Sequence, residues 1–422
     1  MDRAEIYTSY MYSYPHKTAY GTIAADAGML MDQLAGEGPN LYIHIPFCET
    51  KCGYCNLFSV TGKPDTYIGQ YLKAIREQAE QYGLRYRRIP WQSFTVGGGT
   101  PLLLSERQLE DLMQLAAEVG ALESYSGIET SPNQTTREKV EILKANRINR
   151  VSIGVQSFLD QELAMLGRRH KAESAKKALS LLKATGFDCL NVDLIYGIRY
   201  QTMASLQYSL DQTMAYDPEE LFVYPLYIRK GTGLYSDASV PHERTYEFYW
   251  FIRDYLLKQG YHQVSMRRFT RQAAEPGTGC GFESTLSLGC GGRSYLGNIH
   301  CCTPYSVKKA DCLKSLDEFI EKRDKSRIDF GYCLNEEEQK RRYVIKNLLH
   351  TDGICRYRYR QLFGHDAEAD FPVFTSLYDK QYCSGEEGRI RLTPLGMSLS
   401  DYIGPKFISP EVREKMEQWW QR

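Results

Sequence analysis

Between residues 41 and 226 the chain switches repeatedly between two hydrophobic periods, and that alternation limits the folds open to it. Short apolar, strand-like runs stand at 41–46, 93–96, 126–130, 150–155, 189–196 and 221–226. Amphipathic stretches lie between them. Across 64–83, Ile68, Tyr71, Leu72, Ile75 and Ala79 recur three or four residues apart, which is one face of a helix. Ser105, with Gln108 three residues on, reads as a capping box, and Leu109, Leu112, Leu115 and Ala116 form the buried stripe behind it. Further helices fit 172–187 and 202–216. Strands that each lead into a helix predict parallel βα units. Six is short of the eight that close a full barrel. The expected class is therefore α/β, a partial (β/α)6 barrel over 38–235, with functional residues at the C-terminal ends of its strands.

The pattern changes on either side. Residues 1–37 form a polar, tyrosine-rich arm, and 236–330 a Gly- and Cys-rich linking region on the substrate side. A helical stretch at 335–350 and a short strand pair leading into a helix at 388–403 predict a small C-terminal α+β module of winged-helix shape over 331–422. With 52 Lys and Arg against 52 Asp and Glu, nothing in the charge favours a nucleic-acid partner. The N-terminal residues lack the layout of a signal peptide, and no run is long enough to span a bilayer. The expectation is a cytoplasmic monomer with no membrane partner. Twelve cysteines in that setting argue against a disulfide framework. Cys189, Cys312, Cys333, Cys355 and Cys383 read as packing residues.

Cys48, Cys52 and Cys55 differ, because they crowd into eight residues directly after the first strand. A zinc site would need a fourth ligand from far away, such as His44, Cys280 or Cys290. A redox pair would use Cys52 and Cys55 and leave Cys48 idle. A four-iron cluster on three thiolates would use all three and leave one iron open to an outside ligand.

The C-x3-C-x2-C spacing resembles the radical S-adenosylmethionine (SAM) superfamily. Within it, the chain is similar to the oxygen-independent coproporphyrinogen III oxidase family, from "YMYSYPHKTAY" near the N-terminus through to the C-terminal module. The resemblance implies a radical-SAM form of the partial barrel and a [4Fe-4S] cluster on Cys48, Cys52 and Cys55. It also implies SAM on the open iron, split to a 5′-deoxyadenosyl radical, with a second SAM beside it. A flavodoxin- or ferredoxin-type donor would supply the electron. Tyr42 in "LYIHIPFC" would lie at the sulfonium, and His44 is on the same face of that strand. Tyr54 joins the cofactor-binding set. The "VGGGTP" turn would contribute Gly98, Gly99 and Thr100, its glycines leaving N–H groups free for a carboxylate or amine partner. Glu129 would anchor the α-ammonium group. Gln156 and Arg168 would reach ribose or carboxylate, with neighbouring Arg169 facing solvent and His170 a weaker candidate. Asp193 suits ribose hydroxyls, and Ile195 and Tyr196 would line an adenine slot. Tyr42 and Arg168 are the catalytic candidates.

Two departures bear on the substrate. Arg199 stands where the family usually has proline, and Leu57 where the porphyrinogen oxidase has a further cysteine. The paralogues closer to this form include carbon methyltransferases and a haem chaperone. Methyl or methylene transfer to an unsaturated carbon of a small, planar metabolite is thus the first expectation. Oxidative decarboxylation of a porphyrinogen and non-catalytic haem binding are the alternatives. "LGCGGRSY" would bring Cys290 and Arg293 to the pocket. Cys280, Cys290, Cys301, Cys302 and His300 would bind a second metal, contact substrate or pack. The arm tyrosines would stack on a planar substrate or pack onto the barrel.

Overall fold

A computed structural model describes residues 11, 13–34, 38–235, 242–272 and 284–421. All six expected barrel strands form, as Asn40–Ile45, Ser93–Gly98, Tyr125–Thr130, Arg150–Gln156, Cys189–Tyr196 and Glu220–Pro225. Each runs parallel to the next, in chain order. At least one helix lies between each strand and the next, and the strands read as nearly continuous buried runs; Leu41, Ile43, Ile45, Val151, Ile153 and Val155 are fully enclosed.

The helices start where their caps dictate. Ser105 and Gln108 exchange both capping-box bonds at the head of Glu106–Glu118. Asp65–Gln81 buries Ile68, Tyr71, Ile75 and Ala79, while Leu72 is only half-buried. Ala172–Thr185 ends on Gly186 with φ 71°, the left-handed stop that glycine adopts without strain.

Tertiary pairing extends the sheet well beyond the barrel. Among the described residues it has 13 strands. Thr285–Leu288 lies parallel to the first barrel strand, and Arg293–Leu296, Ile299–Cys302, Arg327–Cys333 and Gly21–Asp26 follow antiparallel. At the other edge Arg268–Thr270 and His262–Gln263 add antiparallel strands. None of these was expected, because runs of two to seven residues such as "RSYL" or "IHCC" carry too little alternation to register as strands.

The C-terminal part is α+β. Its strand pair is Cys383–Glu386 with Arg389–Leu392, so the first strand lies ahead of the stretch in which the pair was expected. Ile354–Cys355 completes a three-stranded sheet. A buried triad fastens this part to the barrel: Asp401 accepts from Tyr227 and pairs with Arg267, whose Nε donates to Tyr227 at 3.1 Å. The arm is fastened too. Tyr14 is buried, donates to Glu338, and its oxygen accepts from Ser409 N at 3.1 Å. Tyr14 and Tyr20 thus pack inside the protein; the arm's Tyr7, Tyr10 and Tyr12 lie outside the described residues. No helix among the described residues is long and apolar enough to cross a membrane.

Candidate active site

The three thiols sit on the loop that leaves the first barrel strand, and all three are free and partly buried. The loop is held from several sides. Phe47–Cys48 pairs with Val60–Thr61. Gly53 N donates to Leu166 O at 2.9 Å, while Gly53 O accepts from Leu234 N at 2.8 Å. A Cβ on Gly53 would stand 2.7 Å from Leu234 Cγ, so this close strapping calls for glycine. Cys48 Sγ faces the Thr100 hydroxyl at 3.8 Å, and Cys52 Sγ accepts from Arg168 Nη1 at 3.3 Å. Burial pushes the Cys48 thiol up to about 12 and raises Cys55 as well. Thiolates there require positive charge close by, which iron supplies. Among the described residues no three His, Cys, Asp or Glu donors gather as they would around a single ion. Cys290, Cys301 and His300 are buried in packing positions, and Cys280 lies outside the described residues.

The glycine turn is built differently from expectation. Its N–H groups are not free: Gly98 N donates to Glu129 Oε2 at 3.0 Å, Gly99 N to Ile45 O at 2.8 Å and Thr100 N to Phe47 O at 2.8 Å. What the turn can present is carbonyl oxygen, an acceptor suited to an ammonium group. The glycines serve close approach. Gly98 has φ 115° and a Cβ there would strike the His44 ring at 2.5 Å; one on Gly99 would meet Phe47 O at 2.6 Å. Burial raises the Glu129 carboxyl, and the Gly98 N–H offsets part of that rise.

Across the barrel mouth, Gln156 takes a left-handed conformation (φ 72°) at a register shift between the fourth and fifth strands. Arg168 donates through Nη2 to Gly154 O. Its guanidinium is held firmly charged by Tyr54 and Cys52 against the cost of burial. Two buried atoms here lack any partner, Gln156 Oε1 and Arg168 Nε. Buried polar atoms cost free energy until paired, so a polar ligand is the natural occupant. Asp193 accepts from Asn191 Nδ2 at 2.7 Å, and burial pushes its carboxyl up to about 7. Ile195 joins Leu166 and Ile198 in a small apolar cluster against Tyr54, Tyr224, Leu226 and Leu234. Tyr196 does not share it: as the next residue on the strand it points the other way, into the main core.

The remaining candidates sort clearly. The Tyr42 hydroxyl lies 3.1 Å from His44 Nδ1, and His44 Nε2 lies 3.0 Å from Phe58 O, so the ring ties strand to cluster loop. Burial lowers His44 to about 4, which leaves it neutral. His170 is likewise structural, with Nε2 3.0 Å from Val155 O. Arg169 is exposed and faces Glu49 at 4.0 Å. Cys290 is fully buried against Ser315 O and Thr303, away from the mouth, because its loop turns the side chain under the helix Lys309–Glu321. Arg293 donates to Ser13 Oγ of the arm at 3.5 Å. Arg199 lies over the Tyr200 ring. Sequence reasoning missed the Leu166–Gly53–Leu234 strap and the arm's Lys17, whose Nζ lies over the Tyr305 ring at 3.5 Å. No periodicity signals either; only the quoted "SYPHKTAY" marked the arm.

Parallel strands that carry three thiols, orphaned polar atoms and the buried carboxyls of Glu129 and Asp193 at one mouth are what the class of radical SAM proteins requires. The model of the Radical SAM superfamily matches residues 42–212. The chain is 30% identical to the haem chaperone HemW of Haemophilus influenzae, over 61% of this chain and 70% of that protein. HemW of Bacillus subtilis is 28% identical, covering 87% of this chain and 98% of its own. The oxygen-independent coproporphyrinogen III oxidase of Pseudomonas aeruginosa is 26% identical over 93% and 89%. The fold matches that of the Escherichia coli coproporphyrinogen III oxidase HemN with a TM-score of 0.78, covering 94% of this chain and 96% of that one at 23% identity. The chain belongs to the radical SAM superfamily, in the family of HemW and the oxygen-independent coproporphyrinogen III oxidases, and it uses a [4Fe-4S] cluster and SAM.

Proposed function

We propose that the protein is a radical SAM enzyme that removes a hydrogen atom from a tetrapyrrole. The observation that carries this reading is the pair of orphaned buried atoms, Gln156 Oε1 and Arg168 Nε, beside the thiol loop. Cys48, Cys52 and Cys55 would hold the cluster. The Gly98–Thr100 turn and Glu129 would take the ammonium group of SAM, Arg168 and Gln156 its carboxylate and ribose, Asp193 the ribose hydroxyls, and Ile195 with Tyr54 the adenine. Tyr42, fixed by His44, would close the sulfonium end, where a second SAM would also fit the family pattern. When bound, cluster and cosubstrate supply a one-electron cleavage and a hydrogen-abstracting radical. The chain's part is to orient both partners and exclude water from them.

The tetrapyrrole comes from the relatives, whose names specify haem and coproporphyrinogen. Those names give the expected methyl transfer no support, and the reading moves away from it. Anaerobic reconstitution, dithionite and SAM should release 5′-deoxyadenosine that rises when haem or coproporphyrinogen III is added. Haem binding without tetrapyrrole-dependent release would favour a chaperone and overturn the reading. S-adenosylhomocysteine as the stoichiometric product would restore methyl transfer.

Asp193 sets a pH dependence. Its raised carboxyl, at about 7 in the ligand-free protein, ionises as pH rises, and only the carboxylate is a strong acceptor for ribose hydroxyls. The ionised fraction climbs from ~10% at pH 6 to ~90% at pH 8. SAM affinity should therefore strengthen by up to about tenfold over that span, and Asp193→Asn should flatten the profile. Equilibrium dialysis with labelled SAM reads both.

A further inference from the structure

His44 is clamped between two glycine turns. A Cβ on Gly98 would stand 2.5 Å from its Cε1, and one on Gly291 would stand 2.7 Å from its Nε2. Both glycines have positive φ, 115° and 98°, which residues with a side chain rarely adopt. Gly98 belongs to the "VGGGTP" turn and Gly291 to "LGCGGRSY", so the second motif supports the first barrel strand through this ring. Phe58 adds a ring at 6.2 Å, set edge-on. The imidazole thus has one setting, and its two nitrogens have different neighbours. Nε2 lies 3.0 Å from the Phe58 carbonyl oxygen, which can only accept, so Nε2 carries a proton. A ring turned over would put carbon at both places and forfeit both bonds. Burial keeps the imidazole neutral against the pull of that carbonyl, and Arg293 and Lys17 act in the same direction. In a neutral ring with a proton on Nε2, Nδ1 is bare. The Tyr42 hydroxyl, 3.1 Å from Nδ1, is then the donor. Its one proton is committed to His44, and whatever else meets that oxygen has to be a donor or a cation.

We propose that His44 is a positioning residue that turns the Tyr42 hydroxyl proton away from the barrel mouth, so that the site prefers a sulfonium cation to a neutral thioether. The proposal rests on the placement of Tyr42 at the sulfonium end of SAM. An oxygen that offers only lone pairs attracts a positive centre and gains little from an uncharged sulfur of the same shape. The thioethers it would hold weakly are S-adenosylhomocysteine and the methionine left after cleavage, so the same device favours loading of SAM over retention of product.

The test uses the full chain, anaerobically reconstituted. Equilibrium dialysis compares SAM with S-adenosylhomocysteine, and nitrogen-15 NMR of histidine-labelled protein reads the ring. The wild type should show a bare Nδ1 and a protonated Nε2 between about pH 6 and 8, in a signal identified by its absence from His44→Gln. His44→Leu, which frees the hydroxyl to turn, should cut the preference for SAM about tenfold, the size of one hydrogen bond to a charged group. Tyr42→Phe should cut it as much. Adding His44→Leu to Tyr42→Phe should change the ratio no further, because His44 acts through that hydroxyl. A merely structural histidine would weaken both ligands alike and leave the ratio at its wild-type value, which overturns the proposal. A proton on Nδ1 of the wild type overturns it as well, and that measurement does not need the leucine variant to fold. An unchanged ratio in Tyr42→Phe removes Tyr42 from the sulfonium end, and the proposal with it, whatever the ring shows.

Discussion

Cys52→Ala is expected to leave the anaerobically reconstituted protein colourless. The thiol it removes is one of three on the loop, whose position is set by Gly53 bonding to Leu166 and Leu234. Cubane assembly on two thiolates fails, so iron should fall from about four per chain to background. Arg168 would also lose the sulfur acceptor 3.3 Å from Nη1. Release of 5′-deoxyadenosine should vanish with the iron, while far-UV circular dichroism stays unchanged. Cys333→Ala is the control, because that thiol is exposed and remote from the loop, and it should keep both colour and iron. A Cys52 variant that stays brown at full iron content would contradict the cluster assignment.

Asp401→Ala should cost about 3–5 kcal/mol, the range for a buried ion pair that loses one partner. Asp401 is 1% exposed and Arg267 6% exposed, so water cannot take the place of the lost carboxylate. Tyr227, which leads out of the last barrel strand, loses its acceptor in the same step. The cost falls on the join between barrel and C-terminal part, so limited proteolysis should release a C-terminal fragment from the variant at temperatures the wild type survives. Removing both charges, as Arg267→Met with Asp401→Leu, should recover most of the loss. A single variant within about 1 kcal/mol of wild type would show that the triad does not hold the two parts together.

Much of the barrel was legible because its information is local. Strand runs of four to eight residues and helices with matched caps, such as Ser105 with Gln108, repeat a period that can be counted. The thiol triple was legible for the same reason, since three ligands on one loop need no distant partner to be recognised. The added strands were not. Thr285–Leu288 becomes a strand by lying beside Asn40–Ile45, far away in sequence, and no local pattern encodes that pairing. Within the site, residue types were easier to read than directions. Glycine was correctly expected at a close approach, yet the N–H groups of Gly98, Gly99 and Thr100 turn inward to bond the protein. Ile195 and Tyr196 seemed equivalent, but strand geometry sends them to opposite sides of the sheet.

The linear order of residues thus settled the alternation of strands and helices, the caps, and the compact set of three sulfur ligands, each a matter of neighbours within one turn or one loop. Folding in three dimensions assigned the rest. It brought Arg168 from the helix-side loop to Cys52, and placed the arm's Lys17 over the ring of Tyr305. Those groups lie up to hundreds of residues apart, and an unfolded chain gives them no preference for one another. Their meeting depends on a 13-stranded sheet and the core beneath it, whose burial energy is spread over many side chains rather than written at any one.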